Sequence, residues 1–271
     1  RVLFRSPELC QRYRELVPVF QLMDELATVL RRRRQRRGAI DFDFIESKVE
    51  LDEQGVPVAI VPRPRSVADS IIEEFMIAAN ETVARHLYEL AVPAVYRVHE
   101  EPAFDKLAEL NDFLAFFGFH IKPGRDGQIK PKAYQEILAA VKGKPEERLI
   151  SMVMLRSMMH ARYAPQCLGH FGLSSAYYCH FTAPIRRYPD LVVHRILRET
   201  WSPGGISAKR MAAFDAFVVV AADRSSEREK VAEEAERESQ DMKKVQYMER
   251  HVGDTFSGVI SSVLSFGFFV E

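Results

Sequence analysis

The sequence predicts a helix-rich α+β protein, and three observations support that fold class. Apolar residues recur at every third or fourth position along most of the 271-residue chain, as they do on one face of an amphipathic helix. Residues 39–61 and 254–271 instead alternate apolar and polar side chains, which is typical of strands. Hydrophobic residues make up 47% and charged residues 28% of the chain, so a packed core is expected rather than disorder.

The predicted helices follow in order along the chain. The first covers about residues 8–37 and ends in the arginine run, residues 31–37, before Gly38. Arginines in a last turn favour the helix dipole, and glycine is the usual residue just beyond it. The arginine run is therefore interpreted equally well as a solvated helix end or as a patch that binds nucleic acid. Further helices are expected over about 66–90, 102–117, 131–142, 146–163, 184–199 and 207–250.

The second helix has a predicted core-facing side and the strands have predicted turns. The apolar residues expected to face inward from helix 66–90 are Ile71, Ile72, Phe75, Met76, Ala79 and Val83. Residues 39–61 are expected to form strands with a turn at residues 52–55, and residues 254–271 two strands around Ser261 and Ser262.

Composition excludes several classes of protein. The 38 Lys and Arg residues balance 38 Asp and Glu residues, so any anion-binding surface must be local. No run approaches the roughly 20 apolar residues of a membrane span, and the N-terminus lacks a signal-peptide pattern. The cysteines, Cys10, Cys167 and Cys179, are an odd number without disulfide-framework spacing. We therefore expect a monomer in the cytoplasm, with no membrane partner.

Residues 180–191, HFTAPIRRYPDL, concentrate the chemically active side chains. Pro184 is predicted to open a helix with Arg186 and Arg187 in its first turn, where cations oppose the helix dipole unless an anion compensates. Guanidinium groups bind phosphate through paired hydrogen bonds, and His180 and Thr182 add donors. The residues alone leave two equal alternatives, namely phosphate binding or structural ion pairs with Asp190 and other carboxylates.

This segment resembles the signature of the RNB exoribonucleases, the ribonuclease II and ribonuclease R family. Ala183 stands where the family usually has serine. Four other stretches are similar to the family and occur in its order: residues 38–44, 72–81, 96–100 and 169–172. The resemblance covers nearly the whole chain, with residues 7–200 as the C-terminal part of an RNB catalytic domain, helices around a small sheet, and residues 201–252 completing it.

The resemblance implies a processive, magnesium-dependent hydrolase that degrades single-stranded RNA from its 3′ end to 5′-mononucleotides. Arg186 occupies the position of the arginine that touches the scissile phosphate, and Arg187 is expected to hold a neighbouring one. Glu73 or Glu74, with Asn80, is expected to face the terminal nucleotides. As carboxylates at a helix start, both glutamates also have a purely structural interpretation.

The magnesium ligands implied by the resemblance are aspartates expected upstream of residue 7, so no metal ligand is assigned in this chain. A chain without them is expected not to degrade RNA. Asp41 and Asp43 are spaced like a metal pair but are given a structural or RNA-facing role. The alternative function is that of a non-catalytic, RNA-binding relative. Residues 1–6 match a translated sequencing adapter and are interpreted as non-native.

Residues 253–271 are similar to the first strands of an S1 domain, an OB-type barrel. Such barrels bind single strands by stacking bases on aromatic rings, and Phe266 and Phe269 match the RNA-facing aromatics. Two strands cannot close a five-stranded barrel, so this truncated piece is expected to be frayed or to lie against its neighbour.

Overall fold

The structure is a computed structural model that describes residues 6–42, 44, 46–125 and 127–270. Helices dominate it, which confirms the helix-rich α+β class. They are α1 Pro7–Arg12, α2 Val17–Arg37, α3 Val67–Glu89, α4 Phe104–Ala115, α5 Pro131–Val141, α6 Glu147–Ser157, α7 Tyr188–Thr200 and α8 Ala208–Met248, followed by a short 3₁₀ turn, Glu249–His251. No helix in the described ranges is long and apolar enough to cross a membrane.

The strands form three separate antiparallel pairs within the described residues. The first pair is β1 Glu46–Leu51 with β2 Pro57–Arg63, the second β3 Tyr96–Val98 with β4 Arg162–Ala164, and the third β5 Ile260–Leu264 with β6 Gly267–Val270. The predicted turn at residues 52–55 is confirmed, since the Asp52 amide donates to the Val56 carbonyl at 2.9 Å. The C-terminal turn lies at Ser265 and Phe266, because Ser261 and Ser262 are inside β5.

Two hydrophobic clusters form the core and position the functional elements. The first joins the C-terminal half of α3 to β3, β4, α7 and the first half of α8, through residues that include Ala84, Leu87, Val95, Tyr163, Val193 and Val218. The second joins α4, α5 and α6, through residues that include Leu110, Leu114, Ile121, Tyr134, Ile137 and Met154. The helices α3 and α7 therefore share one core, as a common site for them requires.

Two of the predicted helices end where tertiary structure intervenes. The helix expected over 8–37 is wrong as a single element, because Pro18 lacks the N–H that a continuous helix needs and instead occupies the first turn of α2. The helix expected over 146–163 ends at Ser157. Residues 162–164 form β4 because they pair with β3, Tyr163 lying opposite Arg97.

Residues 39–42 and 44 also differ from prediction, since they belong to no strand. The amide of Ile40 donates to the carbonyl of Gly172 at 2.8 Å, and the Ile40 side chain is buried in the second cluster. This contact between distant segments replaces the strand pairing that the alternation had predicted.

Candidate functional site

The turn of residues 183–187, called here the signature turn, precedes α7. The amides of Arg186 and Arg187 both donate to the Ala183 carbonyl, at 3.2 and 3.0 Å. The helix begins at Tyr188, and Pro189 rather than Pro184 occupies its first turn. The prediction that both arginines lie within the first helical turn is therefore wrong.

Asp190 holds the signature turn in place from the first turn of α7. It is fully buried, and its Oδ1 accepts hydrogen bonds from the Ala183 amide at 2.7 Å and from Arg187 Nη2 at 2.8 Å. A charge-assisted pair of this kind, buried on the carboxylate side, is a structural clamp. Of the two alternatives for the arginines, the structural ion pair holds for Arg187.

Arg186 has the opposite environment. Its side chain is exposed, and it forms no ion pair or side-chain hydrogen bond with the described part of the chain. The guanidinium group of Arg186 therefore keeps all its donors available for a ligand. Phosphate binding, the other alternative, remains the prediction for Arg186.

His180 lies beside this pair of arginines and is neutral. Burial, followed by the positive charges of Arg187 and Arg97, lowers the pKa of His180 to about 2. Its Nδ1 shares a hydrogen bond of 2.9 Å with the Tyr163 hydroxyl. His180 thus supplies a fixed, uncharged imidazole rather than a cation next to Arg186.

Three residues that the sequence analysis missed support His180. Arg97 forms an ion pair with Glu229 on α8, and its guanidinium carbon lies 4.7 Å from the centre of the Tyr163 ring. The Tyr163 hydroxyl is also 3.4 Å from Glu229 Oε1. Only the YRVHE stretch that contains Arg97 could have drawn attention to this group, since its members come from β3, β4 and α8.

Asn80 connects α3 to the segment that leads into the signature turn. It is buried, its Nδ2 donates to the Tyr178 hydroxyl at 3.0 Å, and its Oδ1 accepts the Phe181 amide at 3.0 Å. Because both ends of the amide are occupied, Asn80 fixes the backbone at Phe181, directly after His180, and the side chain of Tyr178. Thr182 lies in the same segment, and its Oγ1 is buried without a hydrogen-bond partner in the described residues.

The adjacent glutamates Glu73 and Glu74 of α3 have different environments in the structure. Glu74 is 2% exposed and accepts hydrogen bonds from Arg34 Nη2 at 2.9 Å and Arg31 Nε at 3.3 Å. Glu73 is half-buried and forms an ion pair with Arg65. Neither glutamate contacts Arg186 in the described part of the chain. Helix α3 instead contacts the segment that leads into the signature turn, through Asn80.

The buried side of α3 differs in part from the predicted one. The buried residues are Ile71, Glu74, Ile77, Asn80, Ala84 and Leu87, whereas Ile72 is 51% exposed. Of the predicted inward residues, Ile71 is buried and Val83 packs against the first cluster, so the prediction holds in part. Two polar residues lie on the buried stripe, and a pattern based on apolar residues alone misses them.

The residues present do not fit a magnesium site. The described part of the chain holds no group of three or more His, Cys, Asp or Glu side chains able to bind a metal ion. The Asp41 carboxylate accepts a hydrogen bond from Arg34 Nη2 at 3.0 Å, and Asp43 lies outside the described residues. The interpretation of Asp41 as structural agrees with this contact.

Phe266 and Phe269 lie on the C-terminal hairpin, at the turn and on β6. Their side chains are 80% and 54% exposed. The structure shows an exposed aromatic hairpin there and does not show a barrel within the described residues.

Most of the chain is similar to one known protein family. The family model of the RNB domain matches residues 9–202. The chain belongs to the RNB family. Ribonuclease R 1 of Lactococcus lactis is 44% identical to this RNB chain over 261 residues, which cover 96% of the chain and 32% of that relative. The chain spans about a third of the length of the curated relatives it matches.

Two solved structures are similar to this RNB chain. RNase R of Mycoplasma genitalium, in complex with ribose methylated single-stranded RNA, superposes with a TM-score of 0.87 at 29% identity, covering 94% of this chain and 40% of that one. A yeast pseudonuclease superposes with a TM-score of 0.50 at 25% identity, covering 60% of this chain and 20% of that one.

Proposed function

We propose that this RNB protein is an exoribonuclease that hydrolyses single-stranded RNA processively from the 3′ end, releasing 5′-mononucleotides. The observation that carries the proposal is the unpaired guanidinium group of Arg186, held on a turn that Asp190 fastens from inside. A fixed cation stabilises the negative charge that develops on phosphate oxygens during displacement. The proposed location is the cytoplasm, and no disulfide links Cys10, Cys167 and Cys179, which all lie in the described residues.

The neighbouring residues have distinct proposed roles. Arg187 clamps Asp190 and contributes its positive charge near a phosphate. His180 is a neutral hydrogen-bonding group beside the RNA, and Thr182 and Asn80 shape the segment that carries it. Glu73, which is more exposed than Glu74, is the better candidate of the two to face the terminal nucleotides, because Glu74 is occupied by arginines.

Magnesium belongs to the proposal, but its ligands do not lie among the residues described here. The metal would polarise the scissile phosphate and activate water in this class of hydrolase. No described residue of this chain is assigned as a magnesium ligand. The S1-like role of residues 253–271, with Phe266 and Phe269 stacking on bases, is part of the same proposal.

A non-catalytic RNA-binding protein is the second candidate function. The likeness to a yeast protein described as a pseudonuclease favours it, because that protein shares part of the fold of this chain. The unpaired Arg186 fits both functions, since a non-catalytic protein would also use it to bind phosphate.

Substitution of Arg186 in the complete protein tests the proposal. Arg186→Ala should lower the single-turnover cleavage rate of bound RNA by about 10²–10³-fold, as loss of one transition-state contact does. RNA affinity should fall far less, and Arg186→Lys should recover only part of the rate because it lacks the forked donors. Arg195→Ala, which removes an exposed arginine of α7, is the matched control.

Two results would count against the proposal. If wild-type complete protein with magnesium releases no mononucleotides from oligoadenylate, the non-catalytic alternative stands. If Arg186→Ala binds RNA poorly but cleaves bound RNA at the normal rate, Arg186 positions the strand and is not catalytic.

A further inference from the structure

Five of the six arginines in the run fall into two sets, one paired with carboxylates and one without an ion pair in the described residues. Arg31, Arg34 and Arg37 lie three residues apart on one face of α2 and pair with carboxylates of α3: Glu74 with Arg31 and Arg34, and Glu81 with Arg37. Residues at this spacing share a helix face, so this set fastens α2 to α3. Three of the arginines are therefore structural.

Arg32 and Arg36 lie on another side of α2, along a groove of about 640 Å³ between α2 and α5. Lys132 and Lys142 line the same groove from α5 and just beyond its end. All four side chains belong to exposed residues, and none forms an ion pair or side-chain hydrogen bond within the described ranges. The groove, called here the basic groove, shares no lining residue with the signature turn.

The acidic residues of the basic groove do not neutralise these cations. Asp41 is bound by Arg34 at 3.0 Å, and Glu147 Oε2 accepts the Gly143 amide at 2.6 Å. Four positive charges therefore remain against two carboxylates that are already engaged. A chain with no net charge carries a local excess of positive charge here.

Part of this arrangement is electrostatically unfavourable without a ligand, although Arg36 lies in the last turn of α2, where a cation favours the helix dipole. Arg32 and Arg36 are like charges four residues apart on one helix, which destabilises that helix. Lys132 lies in the first turn of α5, where a cation opposes the helix dipole. An anion in the groove would relieve both effects.

The two walls of the basic groove are held rigidly together. Gln135 Nε2 on α5 donates to the carbonyls of Gln35 and Ala39, at 2.9 and 3.1 Å. Gly38, with a φ of +101°, lets the end of α2 approach Lys132 so closely that a Cβ atom would lie 3.1 Å from the Lys132 nitrogen. The cations are thus carried on a fixed frame rather than on a mobile loop.

We propose that the basic groove binds the phosphodiester backbone of the RNA strand at phosphates other than the scissile one. A groove of about 640 Å³ lined by four cations from two segments of the chain matches a polyanion with repeated charges better than it matches a single small anion. The inference deepens the proposed function and rests on it in taking single-stranded RNA as the ligand.

Salt dependence of RNA binding by the full chain tests this proposal. Anisotropy of fluorescein-labelled oligoadenylate, measured with a chelator over a series of salt concentrations, is compared for Arg32→Gln/Arg36→Gln, Lys132→Gln/Lys142→Gln and wild type. Each groove pair should weaken binding several-fold to about tenfold and should reduce the slope of log K against log salt by about 1.4, since each lost contact to a single strand removes about 0.7.

The control variant is Lys209→Gln/Lys230→Gln, which removes two exposed charges on α8, and it should leave the slope unchanged. Glutamine is a good helix former, so the helices should persist, as circular dichroism would show. Unchanged slopes for both groove pairs, or a decrease equal to that of the control, would overturn the proposal. The test measures RNA binding and not cleavage. An inactive wild-type protein would therefore contradict the exoribonuclease proposal without changing the outcome of the binding test.

Discussion

Neighbouring residues of the same type have opposite environments in this protein. Arg187 clamps the buried Asp190 whereas Arg186 is exposed, and Glu74 is buried among arginines whereas Glu73 lies near the surface. On α3 the reason is geometric, since successive side chains of a helix point about 100° apart. The roles of adjacent residues therefore have to be tested separately.

The pair Glu73 and Glu74 offers such a test on stability. Glu74→Gln should destabilise the protein by about 3 kcal/mol or more, because breaking this buried ion pair leaves the buried Arg34 with only the partly exposed Asp41 as a charged partner. Glu73→Gln, the matched control, should change the free energy of unfolding by at most about 0.5 kcal/mol. Urea denaturation measures both, and equal effects would contradict the assignment of Glu74 as structural.

His180 predicts how stability depends on pH. Burial lowers its pKa to about 2, so the unfolded chain, with an ordinary histidine pKa of 6.5, binds a proton that the folded chain excludes. The contribution is fully present above pH 6.5 and is lost as pH falls from about 6.5 toward 2. His180→Gln should therefore flatten this decline, by up to about 1.4 kcal/mol per pH unit.

Urea denaturation at about pH 7 and about pH 5 checks this prediction. His160→Gln removes an exposed histidine as a control and should leave the decline as it is in wild type. His170 keeps part of the decline in every variant, because burial and then the nearby His99 lower its pKa to about 3. An unchanged pH dependence in His180→Gln would mean that His180 is protonated in the folded protein.

At the scale of elements, the joint between α2 and α5 depends on one glycine. Gly38 ends α2 in the left-handed region, and its amide donates to the carbonyls of Arg34 and Gln35. A Cβ atom at this position would lie 3.1 Å from the backbone nitrogen of Lys132, so α5 would have to shift slightly to accept a side chain. The basic groove and the positions of Arg32 and Arg36 therefore depend on this residue.

Gly38→Ala should destabilise the protein by more than Gly55→Ala. Both glycines have a positive φ, so each alanine pays about 1–2 kcal/mol for the left-handed conformation. Gly38→Ala adds the contact with Lys132, whereas an alanine at position 55 meets nothing within 4 Å. Thermal unfolding of the two variants isolates the cost of the contact, and equal melting temperatures would show that α5 moves away without penalty.

At the scale of the whole molecule, the C-terminal hairpin stands apart from the two hydrophobic clusters. No residue after position 251 belongs to the buried set within the described part of the chain, and residues 252–260 and 263–270 are exposed. An element that buries so little surface contributes little to the stability of the rest. The Phe266 ring, at the turn of this hairpin, is 80% exposed.

Phe266→Ala should therefore weaken binding of oligoadenylate while leaving the melting temperature unchanged. Loss of one stacked base typically costs about 1–3 kcal/mol of binding free energy. Val263→Ala is the control, because Val263 is exposed on the same hairpin but has no ring to stack on a base. Equal affinities for Phe266→Ala and wild type would contradict the S1-like role of the hairpin.

The sequence by itself determined the features that depend on local pattern and on family motifs. The helix-rich class, the end of α2 at Gly38, the turn at residues 52–55 and the membership in the RNB family all follow from residues close together in the chain. Local apolar spacing failed where long-range contacts decide, as at β4, whose partner β3 lies more than sixty residues earlier.

Only the tertiary structure decided which of several identical side chains is structural and which is free. Arg34 is buried because Glu74, forty residues away, lies opposite it, and Arg187 is paired because Asp190 turns inward at the start of α7. Asn80 and Glu74 lie on the buried side of α3 for the same reason, since a buried polar group is tolerated only where a partner reaches it. The partners of Glu74 and Asn80 come from other elements, so no spacing within α3 reveals them. Asp190 lies three residues from Arg187, but the spacing alone does not show which of Arg186 and Arg187 it binds.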